Sequence, residues 1–210
     1  MKRVLCYGDS NTWGYISGTD HQRYGENERW TRLLKKSLGK DFEIIEEGLN
    51  SRTLFTEDTR PGKDGRKGYV YLKPCMLSHD KIDIVILMLG TNELKDSFEN
   101  SASEIVSMLD KFVDFILNFK SQIDGSSPKL ILCGVPIVGE NAGKESCGNY
   151  KNAVGKCREL IKLCDKYFEN KNLIYVKNDD LKVGVDCVHL TKESHMILAQ
   201  KLAKVIKDNF

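Results

Sequence analysis

The run Ile82-Asp-Ile-Val-Ile-Leu-Met-Leu89 holds a single charged residue. A stretch so apolar cannot turn one face to water, so it reads as a central strand covered on both sides. Helices on both faces of a sheet provide that cover, and the chain supplies the required alternation. Shorter strand-like runs fall at Arg3–Tyr7, Phe42–Ile45, Leu130–Val135 and Leu173–Val176. Between them the spacing predicts helices over Glu28–Leu38, closed by Gly39, over Tyr69–Ser78, and over Tyr150–Phe168. A long helix capped by Ser101 or Ser103 carries Ile105, Met108, Leu109, Phe112, Val113, Ile116 and Leu117 at core spacing, and Thr191 caps a last helix reaching Ile206. Five strands alternating with helices imply a parallel sheet with right-handed crossovers, a three-layer α/β/α sandwich in one domain spanning residues 1–210. The polar segment from Gly48 to Gly68 lacks periodicity, and a stretch of that length is expected inside such a domain only where it serves a function.

The chain of 210 residues carries a net charge of +2 with both signs scattered, which argues against nucleic acid or an acidic membrane as its partner. No segment approaches the roughly 18 consecutive apolar residues of a membrane span, and the first residues enter a strand rather than a signal-peptide apolar region. Seven cysteines, an odd number without Cys-x-x-Cys spacing, read as reduced, mostly buried thiols of a cytoplasmic protein. No His/Cys cluster has zinc-ligand spacing, so no metal is expected. Gly139-x-x-x-Gly143-Lys144-Glu145 is too short for a phosphate-binding loop, and Gly-x-Ser-x-Gly is absent.

Open parallel sheets bind ligands at the carboxyl ends of their strands. Read there in order, the chain delivers Gly8-Asp9-Ser10, then Glu47-Gly-Leu-Asn-Ser-Arg52, then Gly90-Thr-Asn-Glu93, and finally Asp186-Cys-Val-His189, its only Asp-x-x-His. Taken singly, Ser10 is a turn or helix cap, Asn92 a turn residue, Asp186 a surface carboxylate and His189 a packed residue before a cap. Together they form a set that acyl transfer needs. A serine hydroxyl requires a neutral imidazole to take its proton, and the imidazole requires a carboxylate to orient it. The tetrahedral intermediate requires preorganised donors, which the Asn92 amide and strand-end N–H groups can supply. Asp9 and Trp13, flanking Ser10, are candidate substrate contacts, with Tyr15 and Ile16 as further pocket walls. A packing role for Trp13 is equally open. His21, His79 and His195 lack a comparable partner pattern.

Gly8-Asp-Ser-Asn11, Gly90-Thr-Asn-Glu93 and Asp186-x-x-His189 resemble the sequence blocks of the SGNH (GDSL-type) hydrolases. Gly8-Asp-Ser-Asn-Thr-Trp-Gly14, Arg29-Trp-Thr-Arg-Leu33, Glu46-Glu-Gly-Leu-Asn-Ser-Arg-Thr53 and Ile86-Leu-Met-Leu-Gly-Thr-Asn-Glu93 are similar to the arylesterase/acyltransferase branch, in order along the whole chain. The resemblance implies a flavodoxin-like SGNH fold, Ser10 as nucleophile, His189 as base and Asp186 as its orienting partner. It implies an oxyanion hole of the Ser10 N–H, the Ser51 N–H and the Asn92 side chain, with Gly48 as an alternative donor. It further implies a homo-oligomer without a cofactor that acts on a small ester and can pass the acyl group to alcohols. Two departures stand out: Asn11 where the broad family often has leucine, and Ser51 where many members have glycine. Two other readings stay open, a carbohydrate acetylesterase of the same family and a non-catalytic flavodoxin-like binding module.

Overall fold

The computed structural model describes residues 1–145 and 149–210. Five strands form one parallel sheet in the order β2-β1-β3-β4-β5: β1 (Lys2–Gly8), β2 (Phe42–Gly48), β3 (Ile84–Met88), β4 (Lys129–Cys133) and β5 (Ile174–Val176). This is the expected α/β/α sandwich. The chain steps from β1 outward to β2 and then back across β1 to β3. The two strand ends flanking this reversal, after Gly8 and after Met88, open the crevice in which such sheets hold ligands.

Side chains alternate across β1 and β3. Leu5, Tyr7, Val85 and Leu87 enter one core with Leu72, Met76, Leu109, Phe112 and Leu160. Val4, Cys6, Ile84, Ile86 and Met88 enter the other with Trp30, Leu34, Leu198 and Leu202. The first core lies under α3 (Gly68–Ser78), α4 (Ala102–Asn118) and α6 (Ala153–Phe168). The second lies under α2 (Trp30–Leu38) and α7 (Lys192–Asn209). All of β3 is buried, as its composition demands.

Boundaries differ from expectation where local hydrogen bonding decides them. α2 starts at Trp30 rather than Glu28, because the Glu28 carboxylate accepts the Gly25 N–H at 3.0 Å and holds a turn there. Ser101, not Ser103, caps α4, through a reciprocal box with Glu104. α6 starts at Ala153, and Tyr150 instead lies buried in the preceding turn. β2 runs on to Gly48 in register with β1, beyond the expected Ile45. Two short helices were not anticipated: α1 (Ser10–Trp13), directly after β1, and α5 (Ala142–Glu145). The latter falls within the Gly139–Glu145 stretch that is too short for a phosphate-binding loop, and residues 146–148, Cys147 among them, lie outside the described residues. No helix among the described residues is long and apolar enough to cross a membrane.

Candidate active site

β1 ends in a turn that only glycine permits, since a Cβ on Gly8 would lie 2.7 Å from the Met88 carbonyl oxygen. Asp9 then caps α1, its Oδ1 accepting the Asn11 N–H at 2.9 Å. The cap fixes Ser10 as the first helical residue, with its hydroxyl directed at the loop before α7. There His189 Nε2 lies 2.9 Å from Ser10 Oγ, and His189 Nδ1 lies 2.7 Å from Asp186 Oδ2.

The second Asp186 oxygen, Oδ1, accepts the N–H groups of Val188 (3.0 Å) and His189 (2.9 Å). Burial pushes the Asp186 carboxyl up, but the His189 hydrogen bond and charge and these two N–H groups more than reverse it. The group therefore sits below the usual carboxylate range. An ionised carboxylate only accepts, so Nδ1 carries the proton and Nε2 is left to accept from Ser10. The Asp186 N–H donates to Ser17 Oγ at 2.9 Å, which ties this loop back to the segment after α1. Tyr15 lies stacked on the His189 imidazole, ring centroids 4.3 Å apart.

Ser51 and Asn92 line the same cavity as Ser10 and His189, a cleft of about 490 Å³. Asn92 Nδ2 donates to the Arg52 carbonyl at 3.0 Å, while its other near acceptor, Asp9 Oδ2, is 3.5 Å away. One amide hydrogen is thus firmly held and the other loosely. Ser51 has φ +64°, a left-handed conformation that glycine adopts most easily. Gly48, the alternative donor, does not line the cleft. It packs where α1 crosses β2, and a Cβ on it would lie 2.6 Å from Trp13 Cα.

The candidate substrate contacts fall elsewhere. Asp9 is buried outside the lining, and burial pushes its carboxyl up to about 6 despite the Asn11 N–H and the His189 charge. Trp13 and Ile16 are also absent from the lining. The Trp13 ring packs near Tyr15 and under the Arg23 guanidinium, 5.2 Å from its centroid, while Tyr15 faces the cleft. His195 is buried, its Nδ1 accepting the Trp30 N–H at 3.3 Å, and burial lowers its pKa to about 3, so it is a neutral packing residue. Sequence reading missed Arg60, Lys63, Lys95 and Tyr150 in the lining, which no motif marks. It also missed that Glu47, Cys75 and His79 place potential metal-ligand atoms within 4.8 Å of one another. That trio lies outside the cleft, and in it His79 Nε2 pairs with Glu47 at 3.0 Å. The i,i+4 spacing of Cys75 and His79 was visible, but Glu47 joins them only through the sheet.

A sequence profile of GDSL-like lipases/acylhydrolases matches residues 4–202. The chain belongs to this family. Solved structures agree over full length. An aryl esterase from M. smegmatis superposes with a TM-score of 0.92 at 28% identity, each chain covered to 100%. The carbohydrate acetylesterase Est24 from Sinorhizobium meliloti gives a TM-score of 0.92 at 29% identity, again with 100% of each chain covered. A lipase/acylhydrolase from Enterococcus faecalis, 17% identical over 99% of this chain and 96% of its own with a TM-score of 0.74, shares the fold. No curated protein sequence gives a significant match. This GDSL family member is a serine ester hydrolase with the SGNH fold.

Proposed function

We propose that Ser10 is the nucleophile of an esterase acting on small acetyl or aryl esters through an acyl-enzyme. The observation that carries this reading is the continuous chain Ser10 Oγ–His189 Nε2 (2.9 Å) and His189 Nδ1–Asp186 Oδ2 (2.7 Å), opening onto a cleft large enough for a small ester. His189 takes the Ser10 proton as Oγ attacks the ester carbonyl, and Asp186 stabilises the imidazolium. The oxyanion is held by the N–H groups of Ser10 and Ser51 and by the loosely held Asn92 amide hydrogen. His189 then protonates the departing alcohol. Water, or a second alcohol, attacks the acyl-enzyme with His189 again as base, so the protein's own side chains perform every proton transfer.

The two structural relatives at 28–29% identity act, by their descriptions, on aryl esters and on carbohydrate acetates, and both alcohol classes are carried over as candidates. A fluorophosphonate probe followed by ester profiling tests the reading. Covalent labelling at Ser10, with turnover of small acetyl esters, supports the esterase. Intact unlabelled protein would remove Ser10 as the nucleophile. We place the protein in the cytoplasm, as one domain that self-associates. The free thiols of Cys6, Cys75, Cys133, Cys157, Cys164 and Cys187 support a reducing compartment, and a single sheet running from β1 to β5 supports one domain. Light scattering of the purified protein reads the oligomeric state.

A further inference from the structure

Leu49 to Lys67 contain neither a helix nor a named strand, yet the segment is tied down at its base. The Thr53 N–H donates to the Arg66 carbonyl and the Gly68 N–H to the Thr53 carbonyl, each at 2.9 Å. The loop so closed carries Asp58, Arg60 and Lys63. Asp58 is buried and forked by Arg60, with Nε on Oδ1 at 2.8 Å and the terminal nitrogen on Oδ2 at 2.5 Å. Lys95, buried in the turn after β3, reaches the same Oδ2 at 3.3 Å. Two cations therefore share one carboxylate. Lys63 has no ion pair or side-chain hydrogen bond among the described residues.

Arg60, Lys63 and Lys95 all line the cleft that holds Ser10 and His189. Among the described residues the only carboxylate in that lining is Asp186, and its oxygens are taken by His189 and Val188. The buried Asp9 and Glu93 carboxyls also act on Lys95, but burial raises Glu93 to about 8, so it is protonated at neutral pH. Among the described residues the three cations of this wall thus keep more positive charge than Asp58 and Asp9 neutralise. The cost is visible in the ionisation of its members: burial and the Arg60 charge lower Lys95 to about 8, and burial, Arg60 and Arg66 lower Lys63. A small anion bound between them would relieve that repulsion, and in a cleft of low dielectric it would be held far more strongly than in water.

We propose that Arg60, Lys63 and Lys95 form an anion subsite beside Ser10, so that the preferred ester bears a carboxylate or phosphate on its acyl or its alcohol part. The proposal rests on the esterase reading for its substrate, and on the loop alone for its binding site. The Gly48–Gly68 segment is then long because it must carry cations to the mouth of the crevice.

The test compares three ester pairs: aryl hemiesters of dicarboxylic acids against neutral aryl esters of equal length, acetyl esters of carboxyphenols against acetyl esters of neutral phenols, and the corresponding phosphate-bearing acetates. Wild type is expected to favour an anionic member by tenfold or more in kcat/KM, with the preference falling as salt is raised. Preference in the first pair places the charge on the acyl part, and in the others on the alcohol. Lys63→Glu, chosen because Lys63 holds no partner in place, is expected to cut the anionic-to-neutral ratio at least tenfold. Equal turnover of all pairs by wild type, or an unchanged ratio in Lys63→Glu, overturns the proposal. Calorimetric titration with inorganic phosphate and with succinate reads the subsite without turnover. Binding that Lys63→Glu abolishes supports the subsite even if no ester is cleaved and Ser10 resists labelling, a result that would overturn only the esterase reading. No binding of either anion, together with no anionic preference, removes the subsite and leaves the esterase standing.

Discussion

Asn11 Oδ1 accepts the Leu190 N–H at 2.9 Å, joining the nucleophile's own helix to the loop that carries His189. Its amide nitrogen adds a longer bond, 3.4 Å, to the Val188 carbonyl, and its carbonyl accepts the Trp30 indole N–H at 3.1 Å. The residue after Ser10 therefore sets the distance between Ser10 and His189. Asn11→Ala leaves a buried Leu190 N–H without a partner, a loss of about 1–3 kcal/mol. It also frees the two loops, and kcat should fall on the order of ten- to a hundredfold through misplacement. Thermal melts and kcat on one small ester measure both. An unchanged kcat in a folded variant would show that the tie does not position the base.

Ser10→Ala should turn over esters at background rate and take no fluorophosphonate, with an unchanged fold, because the hydroxyl lies at the cleft. Asp186→Asn is more informative. Its oxygen can keep the Val188 and His189 N–H bonds, so the loop stays formed. Its NH₂ group would face Nδ1 and favour the tautomer with the proton on Nε2, which cannot accept from Ser10. We expect kcat to drop on the order of 10³–10⁴-fold with little change in KM. A drop below tenfold would remove Asp186 from its orienting role.

Glu93 is fully buried beside the site; its Oε1 accepts the Leu54 N–H and its Oε2 has no partner among the described residues. Burial raises its carboxyl from 4.5 to about 8, against the pull of the Leu54 N–H. The folded chain then keeps a proton that the unfolded chain releases once pH passes its ordinary value. Stability from this group is whole below about pH 4.5, declines by up to about 1.4 kcal/mol per pH unit, and is gone above about pH 8. Glu93→Gln keeps the acceptor and cannot ionise, so its melting temperature should gain on wild type steadily from pH 5 to pH 8. Melts at each pH unit measure the gap, and a constant gap would mean that Glu93 titrates alike in both states.

Tyr15 covers one face of the His189 ring. A covered base meets less water, so an added small alcohol should compete for the acyl-enzyme and give measurable transfer product. Tyr15→Ala should lower the ratio of transfer to hydrolysis on the order of severalfold. Product analysis at several alcohol concentrations reads that ratio directly. Hydrolysis alone in wild type would remove acyl transfer from the proposed chemistry and leave the triad untouched.

Local chemistry carried much of this protein in plain view. The apolar run at Ile82–Leu89 announced a two-sided strand, and Ser101 with Glu104 announced α4. The strand-end positions of Ser10, Asn92, Asp186 and His189 announced a shared edge, because each depends on residues within a few positions of itself. Tertiary structure alone decided which neighbours of Ser10 face the cleft. Trp13 and Tyr15 are two residues apart, yet α1 ends between them at Gly14, whose φ of 90° turns the chain so that Tyr15 meets His189 while Trp13 packs against Gly48. The same holds for Arg60 and Lys63, charges in an aperiodic loop until its closure at Thr53 and Gly68 sets them beside Lys95. A sequence encodes burial element by element. The meeting of side chains across a cavity depends on crossovers and loop closures, and those are set by packing between parts of the chain far apart in sequence.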